Sequence, residues 1–131
     1  MLMAKQTRML MIRNQHTGQL MMERRPSIGI WGGLWSFPEL ALDEDIEAFC
    51  YQRWQIKIKE EKPYPNLTHV FTHFSLEITP QPLLLIDHTC KVADENIAWI
   101  NPEHALQMGI PTPVKKLLSY FSNGPLFATV L

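Results

Sequence analysis

The segment Pro26–Gly33, PSIGIWGG, constrains the fold of this chain more than any other. Proline has no N–H to give a strand ladder, and glycine favours backbone angles that helices and strands do not use. The segment therefore reads as a loop. Before it, Arg8–Asn14 (RMLMIRN) and Gln19–Arg25 (QLMMERR) are short apolar runs with polar ends. His16-Thr17-Gly18 between them is a turn signal, which makes the pair a hairpin. After the loop, Leu34–Phe37 reads as a short buried strand stopped by Pro38. Asp43–Trp54 then reads as a helix capped by Asp43, with Glu44, Asp45 and Glu47 at the positive end of its dipole. Ile46, Phe49, Cys50 and Arg53 follow the spacing of one helical face.

Further on, Ile56–Glu61 reads as a strand and Pro63-Tyr64-Pro65-Asn66 as a break. Leu67–Phe71 and Phe74–Thr79 are β-rich segments around Thr72-His73, and Pro82–Ile86 either continues the second or follows it. Asn96–Ile100 is another short strand, and Asn101-Pro102-Glu103 opens a helical turn through Met108. Thr112 caps the last helix, with Pro113 at the favoured first position. Val114, Leu117, Leu118 and Phe121 form its apolar face. The order gives one α/β domain with a mixed sheet covered by helices, its core spanning about residues 8–121 and residues 122–131 a tail.

A length of 131 residues suits a single domain. No apolar run approaches the ~18–20 residues of a membrane helix, and Lys5, Arg8 and Arg13 interrupt any secretory h-region, so a cytoplasmic location is expected. Cys50 and Cys90 fit no metal spacing and read as reduced thiols. A net charge of −1 excludes a strongly basic, autonomous DNA binder. The charge is uneven, however: Lys5, Arg8, Arg13, Arg24 and Arg25 lie near the start, and seven acids lie within residues 39–61.

The stretch Arg25–Glu39, RPSIGIWGGLWSFPE, resembles the Nudix box, which opens with Gly, five residues and Glu; Gly33 and Glu39 meet that spacing. The box continues with an Arg-Glu pair and a Glu-Glu pair on a helix. Here that register reads Glu47-Ala48-Phe49-Cys50-Tyr51-Gln52. Magnesium takes hard oxygen ligands, carboxylates among them. Tyr51 and Gln52 are poor substitutes, and without the metal nothing offsets diphosphate charge or activates water. Glu39 and Glu47 read as isolated surface acids, so no metal site is expected. Three segments in order, ERRPSIGIWGGLWSFPE (23–39), THVFTHFSLEI (68–78) and GIPTPVKKLL (109–118), resemble the C-terminal domain of A/G-specific adenine DNA glycosylases, the MutY family.

That resemblance implies a Nudix-like α/β/α sandwich, a mixed β-sheet flanked by helices. It implies a module that recognises 8-oxoguanine opposite adenine in double-stranded DNA, through a loop matched here by Phe71, Thr72 and His73, with Thr where the family has Ser. Guanine N7 is an acceptor, whereas in 8-oxoguanine N7 carries a proton and C8 an oxygen, so a discriminating site needs an acceptor near N7 and a donor near O8. The Thr72 hydroxyl accepts and its backbone N–H can donate, and because a hydroxyl rotates its acceptance alone gives limited selectivity. Arg24, Arg25 and His69 are candidate phosphate contacts. His69 and His73 have a spacing that suits a metal pair only on a helix. Trp31 is the loop aromatic most open to solvent, and Trp35 and Trp99 read as core. Adenine removal in that family belongs to an N-terminal domain with a four-cysteine iron–sulfur cluster, which two cysteines cannot supply. The chain is thus expected to be a fragment lacking the catalytic part, and that domain its partner. The alternative is a free-standing Nudix-type hydrolase of oxidised nucleotides, and a third reading is a Nudix-derived protein-interaction module.

Overall fold

The computed structural model describes residues 3–88 and 94–121. In chain order the elements are β1 (Met3–Asn14), β2 (Leu20–Arg24), β3 (Trp35–Ser36), β4 (Glu39–Leu40), α1 (Ile46–Trp54), β5 (Ile56–Glu60), β6 (Leu67–Val70), β7 (Phe74–His88), β8 (Ile97–Ile100), α2 (Pro102–Ala105) and α3 (Thr112–Leu118). One mixed sheet runs β3-β2-β1-β7-β5, with β4 added to β1, β6 to β7 and β8 to β2. The central pair, β1 and β7, is parallel from Met3 opposite Phe74 to Asn14 opposite Leu85.

Why the sheet needs cover on both faces is written in β1. Met9 to Ile12 are all fully buried, so successive side chains point to opposite sides and neither meets water. Met9 and Met11 join a core with Leu20, Met22, Phe37, Ile78, Val114, Leu117 and Leu118 beneath α3. Leu10 and Ile12 join a second core with Met21, Ile46, Cys50, Trp54, Ile56 and Leu83 beneath α1. This is the α/β/α sandwich expected of the sequence. Among the described residues no helix is long and apolar enough to cross a membrane.

Several boundaries move. Asp45, not Asp43, caps α1, accepting from the Ala48 N–H at 2.8 Å. The buried face is Ile46, Cys50 and Trp54, an i, i+4, i+8 row, and Arg53 instead pairs with Glu23. Pro111 occupies the N-cap of α3, and Thr112 lies inside the helix without a side-chain cap bond. The helix ends at Leu118, while Phe121 packs against the core from the turn that follows. The hairpin's first strand starts at Met3, because residues 3–7 pair with β7.

The structure also resolves the ambiguity at Pro82: β7 is one strand running through Pro80 and Pro82. β6 pairs with β7 as far as Ile78 and β5 pairs from Leu83 onward, so residues 79–82 face no strand on that edge. The carbonyls of Pro80 and Pro82 accept from Tyr64 and Glu61 in the intervening coil, at 3.1 and 3.0 Å. A strand residue directs its N–H to the same edge as its C=O, so both missing donors fall where no ladder asks for them. The expected tail at 122–131 and Cys90 lie outside the described residues.

Candidate functional site

The β6–β7 hairpin pairs His69 with Leu76 and Val70 with Ser75, and the Phe71 N–H closes it on the Phe74 carbonyl at 2.7 Å. Thr72 and His73 form the exposed tip. A short turn has little to hold it, and here aromatic packing does so. The Phe71 ring stacks on Phe74 with centroids 4.4 Å apart. His69 meets Phe71 edge-on at 4.7 Å, and Trp31 lies 5.4 Å from Phe71 and 5.7 Å from His69. Lys5 Nζ sits 4.5 Å above the Phe74 ring. The hairpin tip and the glycine-rich loop, distant in sequence, thus form one surface.

The loop's shape follows from its residues. Trp31 adopts φ 55°, a left-handed conformation that costs a bulky residue energy and needs surrounding support. Support comes from Gly33 N–H bonds to the carbonyls of Pro26 and Arg25, at 3.0 and 3.2 Å, and from the Leu34 N–H to the Trp31 carbonyl at 3.0 Å. Gly32 is required by close approach: a Cβ there would lie 2.5 Å from the Ser27 carbonyl oxygen. Arg25 clamps the loop, donating through Nε to the Ile30 carbonyl and pairing with Glu39. Trp31 is half-buried, as are Trp35 and Trp99.

Of the residues picked out from sequence, Phe71, Thr72, His73 and His69 are brought together. Arg24 and Arg25 are not part of that group. They line a cavity of about 750 Å³ with Glu23, Arg53, Asp94 and Asn96, and none of the tip residues lines it. Arg24 is exposed, 5.9 Å from the Trp35 ring. Lys5 is the surface residue that sequence reading missed. Only the parallel pairing of β1 with β7, which local pattern does not encode, brings it to Phe74.

On α1, Glu47, Ala48, Tyr51 and Gln52 are exposed. Glu39, paired opposite Met9 at the sheet, gives its carboxylate to Arg25. Among the described residues no three of His, Cys, Asp and Glu gather as metal ligands. Beneath the helix, burial first and Glu60 second push the Cys50 thiol up to about 12, leaving it a neutral core group.

The family model described as NUDIX domain matches residues 8–120. The chain belongs to the Nudix domain family. The adenine DNA glycosylase of Buchnera aphidicola subsp. Baizongia pistaciae (strain Bp) is 27% identical over 105 residues, covering 80% of this chain. The chain spans about 30% of that relative's length. The MutT protein from Methanosarcina mazei Go1 superposes with a TM-score of 0.68 at 15% identity, over 93% of this chain and 95% of that one. The C-terminal domain of mouse MUTYH, solved in complex with human PCNA, gives 0.67 at 19% identity, over 90% and 87%. At these identities the structural likenesses establish the Nudix fold.

Proposed function

We propose that this Nudix domain is the 8-oxoguanine-reading module of an adenine DNA glycosylase that removes adenine mispaired with 8-oxoguanine. One observation carries the reading: Thr72 and His73 stand exposed on a tip held by the Phe71–Phe74 stack and Trp31. The box positions that would hold magnesium carry Ala48, Tyr51 and Gln52 instead. The similarity to a glycosylase about three times longer supports the same reading. In it, Thr72 Oγ1 accepts from the N7–H of the oxidised base, and its stiff χ1 keeps the hydroxyl aimed. A mismatched polar contact costs on the order of 1–3 kcal/mol, enough to bias recognition while excision belongs to a separate catalytic domain. An iron–sulfur cluster needing four cysteines would belong to that domain, since this chain has two.

The test is duplex binding by the chain, comparing 8-oxoguanine:adenine with guanine:adenine. We expect the damaged duplex to be preferred about fivefold or more, from the lower end of that energy range, and Thr72→Ala to abolish the difference. An unchanged ratio in Thr72→Ala would overturn the role of the hydroxyl. Robust pyrophosphate release from 8-oxo-dGTP with magnesium would overturn the whole reading in favour of a free-standing hydrolase.

A further inference from the structure

Behind the hairpin, between β6 and α3, lies a notch of about 40 Å³ lined by Leu67, Thr68, His69, Thr112, Pro113 and Lys116. His69, Thr112 and Lys116 are among the residues around it, and no acidic residue lines it. Thr68 precedes His69 on the strand and directs its side chain to the opposite face. Leu67 is half-buried and Pro113 buried, so the floor is apolar and fixed, while Thr68, Thr112 and Lys116 are exposed. A water molecule needs about 10–15 Å³ of such space. The notch therefore admits a group of a few oxygen atoms and excludes a base or a sugar. Its donors suit an anion.

Position narrows the anion further. His69 lies on the strand that leads to Thr72, roughly 10 Å away at ~3.3 Å per residue. The major groove is ~8.5 Å deep, so a tip touching a base edge leaves the backbone at about that distance behind it. On the far side of the stack, Lys5 adds a second cation over Phe74. We propose that the notch seats a backbone phosphate of duplex DNA, with Lys116 supplying the charge and His69 and Thr112 the hydrogen bonds. The inference rests on the proposed DNA-reading role and adds a sequence-independent anchor to it.

The experiment is a salt series of duplex-binding titrations on the whole chain, with damaged and undamaged duplexes side by side. One phosphate contact contributes ~0.9 to the slope of log K against log salt. Lys116→Ala should lower that slope by ~0.9 and weaken both duplexes equally, by about eightfold at 0.1 M salt. Lys116→Arg should restore both. Thr112→Val, which keeps the β-branched shape, should weaken both duplexes about two- to threefold and leave the slope unchanged, as expected of a neutral contact. Lys59→Ala, on β5, is the charge control and should have a smaller effect. An unchanged slope in Lys116→Ala, a loss confined to the damaged duplex, or an equal loss in Lys59→Ala would each overturn the proposal. Damage preference is read from the ratio of the duplexes and the notch from the slope, so either reading can fail alone.

Discussion

The two faces of the sheet spend their apolar area differently. Under α1 the core is closed: Leu10, Ile12, Met21, Ile46, Cys50, Trp54, Ile56 and Leu83 are buried, and the helix turns Ala48, Tyr51 and Gln52 outward. Under α3 the core is open at one end, where Phe71, Phe74 and Trp31 run from the buried cluster out to the hairpin tip. The helix that would carry a hydrolase's metal chemistry survives for its inward side. The opposite face uses its aromatics to hold a loop in place. Stability and recognition should therefore respond separately to mutation.

The largest effect belongs to the closed face. Trp54→Ala should cost about 3–5 kcal/mol in urea denaturation, with the damage preference of the folded protein unchanged. Trp54→Phe should cost under ~1.5 kcal/mol, because it keeps most of the volume and removes an indole N–H that has no partner among the described residues. Equal losses in the two variants would mean that cavity formation does not govern this face.

The open face should behave in the reverse manner. Phe71 is half-buried, so Phe71→Ala should cost about 1–2 kcal/mol, less than a fully buried phenylalanine, yet it should erase the damage preference. Retained preference would detach the tip from its aromatic support. A smaller effect is expected at Glu39, whose pair with Arg25 is about a quarter exposed. Glu39→Gln should cost about 1 kcal/mol or less, fading at high salt. Added magnesium should leave the wild-type melting temperature unchanged; a rise that Glu39→Gln removes would make Glu39 a ligand.

The smallest effect at neutral pH concerns Cys50. Its thiol is raised from an ordinary 9.0 to about 12 by burial and by Glu60, so above pH 9 the unfolded chain loses a proton that the native state keeps. The corresponding stability is fully present below pH 9 and drains away as pH climbs toward 12. In a Cys90→Ser background, iodoacetamide at pH 8 should label the native protein far more slowly than the urea-unfolded chain; equal rates would show Cys50 to be accessible.

The hairpin, the glycine-rich loop and α1 were legible because each carries a local signal: a turn, a proline with glycines, and acids before an apolar row. Legibility ended where long-range pairing decides. Pro80-Gln81-Pro82 looks like a strand break, yet it fits β7 because its outer edge meets coil at Glu61 and Tyr64. Asp43 and Asp45 are equally good caps by composition, and backbone direction chose Asp45. The tip itself was identified through family resemblance, since Thr72 alone reads as an ordinary strand-end residue. The companions of that tip come from distant segments, Lys5 through the β1–β7 register and Trp31 from the loop between β2 and β3, and local pattern specifies neither approach.

That register also sets a timetable. Met3 lies beside Phe74 and Asn14 beside Leu85, so the central ladder joins segments separated by most of a domain's length of chain. Non-local pairing of this kind makes folding slow, on the scale of milliseconds to seconds for sheet-rich domains. Until the ladder zips, Phe74 has no Lys5 above it. A ribosome must therefore release Phe74–Ile78 before Lys5 and β6 can meet at the tip, and on the proposed reading a chain truncated before that point should show no damage preference at all rather than a reduced one.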